Sequence, residues 1–369
     1  YTIEGNEIHE VGVGPVHAGI IEPGHFRFLC NGENVFHLEI QLGYQHRGVE
    51  SLFLSYKHPL QRILLAENIA GDTTIGHSTA CAALLESLAG KEVSEQLKIE
   101  RAIALEMERI AIHIGDTAAL CTDVAYQFGQ VVNEALRTII INTMLHWCGN
   151  RFGKGLIRPY GSYCPVNEDV KNTILNNLAD VEKRYKNITD KIFSLPSVLA
   201  RFEQTGKVTY NQASLIGAVG IAARSSGLKR DLRCSHPIIN KKIYSHQLVI
   251  IENGDVWARA MLRKLEVEQS INIVRELLKH IDYSNNIIKP DYKHNFKASS
   301  FAVSITEGWR GEICHTAITD ENGEICHYKI KDPSFHNWFA LALSVREQEI
   351  SDFPLCNKSF NLSYCGNDL

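Results

Sequence analysis

The stretch "EQLKIERAIALEMERIAIHIGDTAALCTDVAY", Glu95 to Tyr126, decides the fold class. Leu97, Ile103, Met107, Ile110, Ile114 and Ala118 recur at helical steps and mark one long core-facing stripe. Outward from it, the pattern stays helical from Pro59 to Gly153. Further helices are expected at Glu168 to Leu195 and Gly254 to Ile281. The second has an acidic first turn and a basic last turn, in keeping with the helix dipole. Towards the N-terminus, "HFRFLC" and "VFHLEIQL" alternate around the turn "NGEN", which predicts a hairpin within residues 8–42. Beyond a polar linker from Asp282 to Ala298, alternation returns in "ASSFAVSI" and "GEICHTAITDENGEICHYKI". The expected architecture is α+β and mainly α, one domain over 1–369. It comprises a β-rich part at 1–55, a helical core at 56–282, and a β hairpin with a C-terminal segment at 299–369.

Composition narrows the function. A net charge of -4 excludes a nucleic-acid binder that works through bulk charge. No run of eighteen apolar residues is present, so no direct membrane span is expected. The most apolar candidate, "ALRTIIINTMLHWC", is broken by Arg137, Asn142 and His146 and reads as a core helix. Ten cysteines without pairing rhythm suit the reduced thiols of a cytosolic protein. The chain opens at Tyr1, as expected of a piece cut from a longer product.

Several short motifs carry candidate chemistry. "NIAGDTTIGHSTACAALL" (Asn68 to Leu85) is a polar loop running into a small-residue helix, a setting that often holds a metal, yet it has no cysteine at ligand spacing. The two "ICH" pairs, at 313–315 and 325–327, are excluded as one zinc site by hairpin geometry. A turn centred on Asn322-Gly323 sets Cys326 opposite Thr319 and Cys314 opposite Lys331, about 17 Å apart along the strands. Cys356 and Cys365 are a weak zinc pair that would need His77. "GPVHAG" presents His17 between glycines, "YQHRGVE" presents His46, Arg47 and Glu50, and "GWRGE" sets Arg310 at a strand end. "ARSSGLKRDLR" (Ala223 to Arg233) is expected to be a solvated basic loop.

The order of these motifs is more telling than any one of them. "GPVHAG", "PGHFRF", "YQHRGVE", "GHSTA", "EMERIAIH", "GNRFGKGLIRP", "ARSSGLKRDLR", "GDVWAR", "EGWRGE" and "SFNLSYCGNDL" follow one another as in a single superfamily. The chain resembles the large subunit of energy-converting, membrane-bound nickel–iron hydrogenases, such as that of formate hydrogenlyase. It is more distantly similar to the quinone-site large subunit of respiratory complex I. In the hydrogenases two cysteine pairs hold the metal centre. By this resemblance their positions fall on Ala70, Thr73, Ser363 and Gly366, so all four thiolates are missing, and Cys365 is one place out of register. The resemblance further makes Arg310 the arginine that approaches the metal's ligands and Glu50 a proton-transfer carboxylate. It makes His17 the histidine of the quinone-headgroup loop, whose tyrosine partner falls on Ile69.

Two functions follow as expectations. One is a metal-free large subunit of an energy-converting oxidoreductase complex, cytoplasmic and peripheral at the inner face of the cell membrane. It would carry no cofactor itself and dock an iron–sulfur small subunit, whose cluster supplies electrons, and membrane ion-translocating subunits. A polar pocket of Glu50, Asp72 and Arg310 would relay protons, with His17, His77 and Arg310 binding an acceptor. The other is a non-catalytic assembly subunit whose former site is filled by side chains. A solvent-filled polar cavity with two or more charges favours the first, and an apolar, well-packed cavity around Ile69, Ala70 and Ile75 the second. Arg310 is expected to pair with Asp72, because a buried guanidinium cannot shed its charge.

Overall fold

The computed structural model describes residues 5, 7–240, 243–282 and 289–369. Of the expected linker at 282–298, positions 283–288 lie outside the described residues. Strands β1 (Ile8–Val13), β2 (His25–Asn31) and β3 (Asn34–Gln41) form an antiparallel sheet in that order. Asn31 pairs with Asn34 across a two-residue turn in which Gly32 takes φ +57°, the backbone state that such a hairpin demands. Phe26, Phe28 and Cys30 alternate inwards and are fully buried.

Eleven helices come next among the described residues. They are α1 (Val49–Ser55), α2 (Pro59–Ala66), α3 (Thr74–Leu88), α4 (Glu95–Asp123), α5 (Gln127–Cys148), α6 (Glu168–Ile192), α7 (Pro196–Phe202), α8 (Tyr210–Leu215), α9 (Gly220–Arg224), α10 (Leu232–Ser235) and α11 (Val256–Leu278). Helix α4 is the axis, packed by α3, α5, α11 and elements further along the chain. The whole stripe from Leu97 to Ala118 is buried, as its spacing predicts. So are charged residues on its other faces, among them Glu106, Glu108, Arg109, His113 and Asp116, because α4 is covered all round. Buried charges must find partners, and these become the polar framework of the molecule.

The chain closes with β4 (Phe301–Glu307), β5 (Glu312–Thr319), β6 (Ile325–Lys331), α12 (Pro333–Ser344), α13 (Phe353–Phe360) and α14 (Tyr364–Asn367). Strands β4, β5 and β6 form a second antiparallel sheet, with α3 against it. Together the two small sheets and the helices make a mainly helical α+β fold. No described helix is long and apolar enough to cross a membrane.

Three local expectations need correction. The helix expected to reach Leu195 stops at Ile192, because Leu195 precedes Pro196 and is held extended. Helix α4 ends at Asp123, since Ala125 turns to φ 57°. In the second hairpin Cys314 does face Lys331, but a bulge makes Thr319 pair with Ile325, so Cys326 is not its partner. Helix α12 was hidden in the C-terminal segment. It is launched by the Asp332 side chain, which accepts the Ser334 amide, and by Pro333 in the first turn.

Candidate functional site

The loop before α3 and the connection between β4 and β5 build the site from opposite sides. Gly308 and Gly311 bond each other's backbone, closing a tight turn around Trp309 and Arg310. Helix α9 presses on that turn. A Cβ at Gly220, where φ is +58°, would stand 1.9 Å from the Arg310 carbonyl oxygen, so only glycine fits there. The Trp309 indole N–H donates to the Asp72 carbonyl at 2.8 Å, and the Arg310 guanidinium lies 4.0 Å from the Trp309 ring.

Arg310 is thus aimed at the loop. Its Nη1 and Nη2 donate to the two carboxylate oxygens of Asp72, each at 2.7 Å. Nη1 also donates to Thr73 Oγ1 at 3.0 Å, and Nε donates to the Asn361 carbonyl at 2.6 Å. One guanidinium therefore ties residues 72–73 to the C-terminal segment, as the expected pairing required. Arg47 makes a second tie, donating to the carbonyls of Asn68, Ile69 and Cys365. Burial opposes the Arg310 charge, but Asp72 outweighs it and holds the guanidinium pKa above its usual value. Arg310 is buried, whereas the Asp72 side chain keeps 33% of its exposure, so the pair has one face towards solvent.

The four positions that the resemblance assigns to thiolate ligands do not fit a nickel–iron centre. Ala70 is buried and has no donor atom. Thr73 Oγ1 donates to Asp72 at 3.1 Å and accepts from Arg310. Ser363 Oγ accepts the Gly366 amide at 2.9 Å, capping α14. At Gly366 a Cβ would lie 2.8 Å from the carboxylate carbon of Asp332, so that carboxylate stands where a ligand side chain would. Soft sulfur is absent and the hard oxygens are already engaged.

Asp332 opens a buried chain of polar groups. Its Oδ2 lies 2.9 Å from His77 Nε2, His77 Nδ1 lies 3.1 Å from His315 Nε2, and His315 Nδ1 lies 2.8 Å from the Tyr328 hydroxyl. With neutral imidazoles each contact has one donor and one acceptor: Tyr328 donates to His315, His315 to His77, and His77 to Asp332. Burial disfavours the Asp332 carboxylate, but His77 outweighs it and holds the pKa below the usual range. His315 is driven well below the ordinary imidazole value by burial and then by His77.

Below Asp72, Glu108 of α4 accepts the amides of Ile75 at 2.7 Å and Gly76 at 3.2 Å. Burial nonetheless pushes its pKa up to about 8. Glu22, in the loop before β2, is raised by burial, opposed by its bond from Gln45, and lies within the electrostatic reach of Arg310 and Asp72.

Among the expected site residues, the structure joins Asp72 with Arg310 and sets His77 on Asp332. Glu50 lies elsewhere: it accepts Lys329 Nζ and the Ile330 amide and so meets β6, not the guanidinium. His17 is exposed and accepts the Gly19 amide at 3.0 Å within its own loop. Cys356 is buried against Gly206 and Arg259, whereas Cys365 sits by Ser363, so these two do not converge on His77. Among the described residues no cluster of His, Cys, Asp and Glu is arranged to hold a metal. The basic segment 223–233 is not a solvated loop, for Arg224 and Arg233 are buried in ion pairs. Glu22, Glu108, His315 and Asp332 were not singled out beforehand. Only "EMERIAIH" and "ICH" pointed near them, because a strand or helix residue gains such a role only when distant segments close on it.

In sequence, the chain is similar to subunits of membrane-bound hydrogenases and of complex I-like enzymes. Residues 123–302 match the family described as respiratory-chain NADH dehydrogenase, 49 Kd subunit. The carbon monoxide-induced hydrogenase of Rhodospirillum rubrum is 28% identical over 96% of this chain and 97% of its own length. Formate hydrogenlyase subunit 5 of Escherichia coli is 25% identical over 97% of this chain and 62% of its own length. The fold matches a chain of the membrane-bound sulfane sulfur reductase, an archaeal respiratory membrane complex, with a TM-score of 0.91 over 100% of both chains at 20% identity.

Proposed function

We propose that this chain is the nickel-free large subunit of a membrane-associated, energy-converting oxidoreductase complex. Its relatives are subunits of membrane-bound hydrogenase and complex I-like complexes. The observation that supports the reading is a polar cluster where the resemblance would put the metal: the ion pair of Arg310 with Asp72 and the hydrogen bond of His77 with Asp332. The Arg310–Asp72 pair supplies the charges that the first reading asks for, while Ile69, Ala70 and Ile75 are fully buried beside it, as the assembly-subunit reading asks. In this reading the redox centre is an iron–sulfur cluster of a docked small subunit. This chain supplies groups that hold and pass protons near it, and the complex couples electron transfer to ion movement through membrane subunits on the inner face of the cell membrane.

The test is isolation of the chain with its natural partners in mild detergent, followed by metal analysis. Iron in a co-purifying small subunit, membrane subunits beside it, and nickel far below one per chain are expected. One nickel per chain overturns the nickel-free site. A chain isolated without an iron–sulfur partner overturns the docking. If the Arg310→Met, Asp72→Asn complex turns over like the parent, the former site is a structural plug.

A further inference from the structure

A second cluster of charges lies behind the site, where α4 meets α11. Glu266 of α11 is its centre, accepting from Arg224 of α9, from Arg233 at 3.1 Å, from Arg109 of α4 at 3.5 Å, and contacting His113 Nε2 at 2.8 Å. Glu106 of α4 accepts from Arg109, Arg233 and Ser270. Asp231 accepts from Arg233 and pairs with Arg224, and His246 Nε2 lies 3.3 Å from it. Glu307, the last residue of β4, accepts from Arg224 at 2.9 Å and from the Leu232 amide at 3.1 Å. Glu108, one residue before Arg109, faces away towards the amides of Ile75 and Gly76.

Carboxylates outnumber guanidiniums in this hub. Four buried carboxylates (Glu106, Asp231, Glu266, Glu307) face three buried guanidiniums (Arg109, Arg224, Arg233), with the imidazoles of His113 against Glu266 and of His246 against Asp231. An uncompensated charge at such depth is costly unless a proton neutralises it. The carboxylates are not equal in this respect. Glu266 and Asp231 are each opposed by burial but held low by Arg224 and Arg233. Glu307 has one guanidinium bond, and burial followed by repulsion from Asp231 raises its pKa to about 7. A cavity of about 30 Å³, room for about two waters, touches Glu307 together with Glu106, Arg233, His236 and Tyr244.

We infer that Glu307 is a proton-loading site, taking one proton from cavity water and returning it there. Its position couples that proton to the site in front. Arg109 donates to the carbonyls of Glu307 and Gly308, and Arg310 follows three residues later in the same turn. Trp309 packs edge-on to His113 and donates to Asp72. The Glu307–Gly311 turn thus has one end in the hub and the other on the Arg310–Asp72 pair. This inference rests on the proton-coupling part of the proposed function and not on its metal content.

Infrared difference spectra of the purified complex, titrated from pH 5 to pH 9 without turnover, test it. A buried protonated-carboxyl band should be lost with a midpoint near neutrality. Its near-neutral component should shift on ¹³C-glutamate labelling, be missing in Glu307→Gln and persist in Glu108→Gln, since the raised Glu108 carboxyl contributes a separate component. Glu307→Asp, which keeps a titratable group, guards against a Gln variant that fails to fold and should return a band with a displaced midpoint. A parent without such a band, or a Glu307→Gln band identical to the parent's, overturns the inference. Either result leaves the metal analysis of the proposed function standing, and one nickel per chain would leave this titration standing.

Discussion

At the residue scale, the turn that carries Arg310 is tied to the loop before α3 by charge and not by bulk. Arg310 cannot shed its proton, so its burial requires the bidentate bond to Asp72. Arg310→Met should strand the carboxylate and lower stability by about 2 kcal/mol. That is below the usual range for breaking a buried pair, because Asp72 keeps partial access to water. The Arg310→Met, Asp72→Asn double variant should lose clearly less than the sum of the single changes in a denaturant-based cycle. Additive losses would mean the two groups do not act as a pair. Glu108 gives a pH signature of opposite origin. Its folded pKa of about 8 lies above its ordinary 4.5, so the native state holds the extra proton between these values. Its contribution is therefore fully present below about pH 4.5 and is lost as pH rises towards 8. Glu108→Gln should flatten that part of a melting-temperature profile, and an unchanged slope would show that Glu108 is already ionised in the folded chain.

At the element scale, what the sequence revealed depended on whether partners were local. The long α4 stripe, both hairpins and the α6 and α11 spans were legible because helical and strand periods are local properties. The Arg310–Asp72 contact was legible through one chemical rule, that a buried guanidinium needs a partner. The hub was not legible. Arg224 and Arg233 read as surface charge because nothing local says that α9 and α10 tuck beneath β4. Asp332 went unread because its role as cap, His77 partner and occupant of the Gly366 space needs three distant segments together. The contact of α9 with the Arg310 turn is similarly non-local. Gly220→Ala would both strain φ +58° and drive a Cβ into the Arg310 carbonyl. Destabilisation by about 2 kcal/mol or more is expected, with faster amide exchange in residues 308–311. A variant as stable as the parent would mean that α9 does not set the turn.

At the scale of the whole molecule, the hub joins parts of the chain that neither sheet could hold alone. Glu266 of α11 gathers guanidiniums from α4, α9 and the segment after it, and Arg109 carries the tie onward to the β4–β5 turn. Removing this carboxylate takes from the buried Arg109, Arg224, Arg233 and His113 the acceptor that they share. The result should differ from an ordinary core truncation. A cavity destabilises through lost contacts near the deletion, whereas stranded like charges repel along every element that carries one. Glu266→Ala should therefore cost about 3–5 kcal/mol, the range for breaking a buried ion pair. Hydrogen exchange should rise together in the middle of α4, in α9 and in residues 307–311, while β1–β3, packed on a separate apolar cluster with α12 and α13, keeps its protection. Glu266→Gln, which keeps the shape and one acceptor oxygen, should fall between parent and Ala. If exchange rises only within α11, the hub is a set of independent pairs. Coupling between Glu307 and the Arg310–Asp72 site would then have no mechanical route through the core.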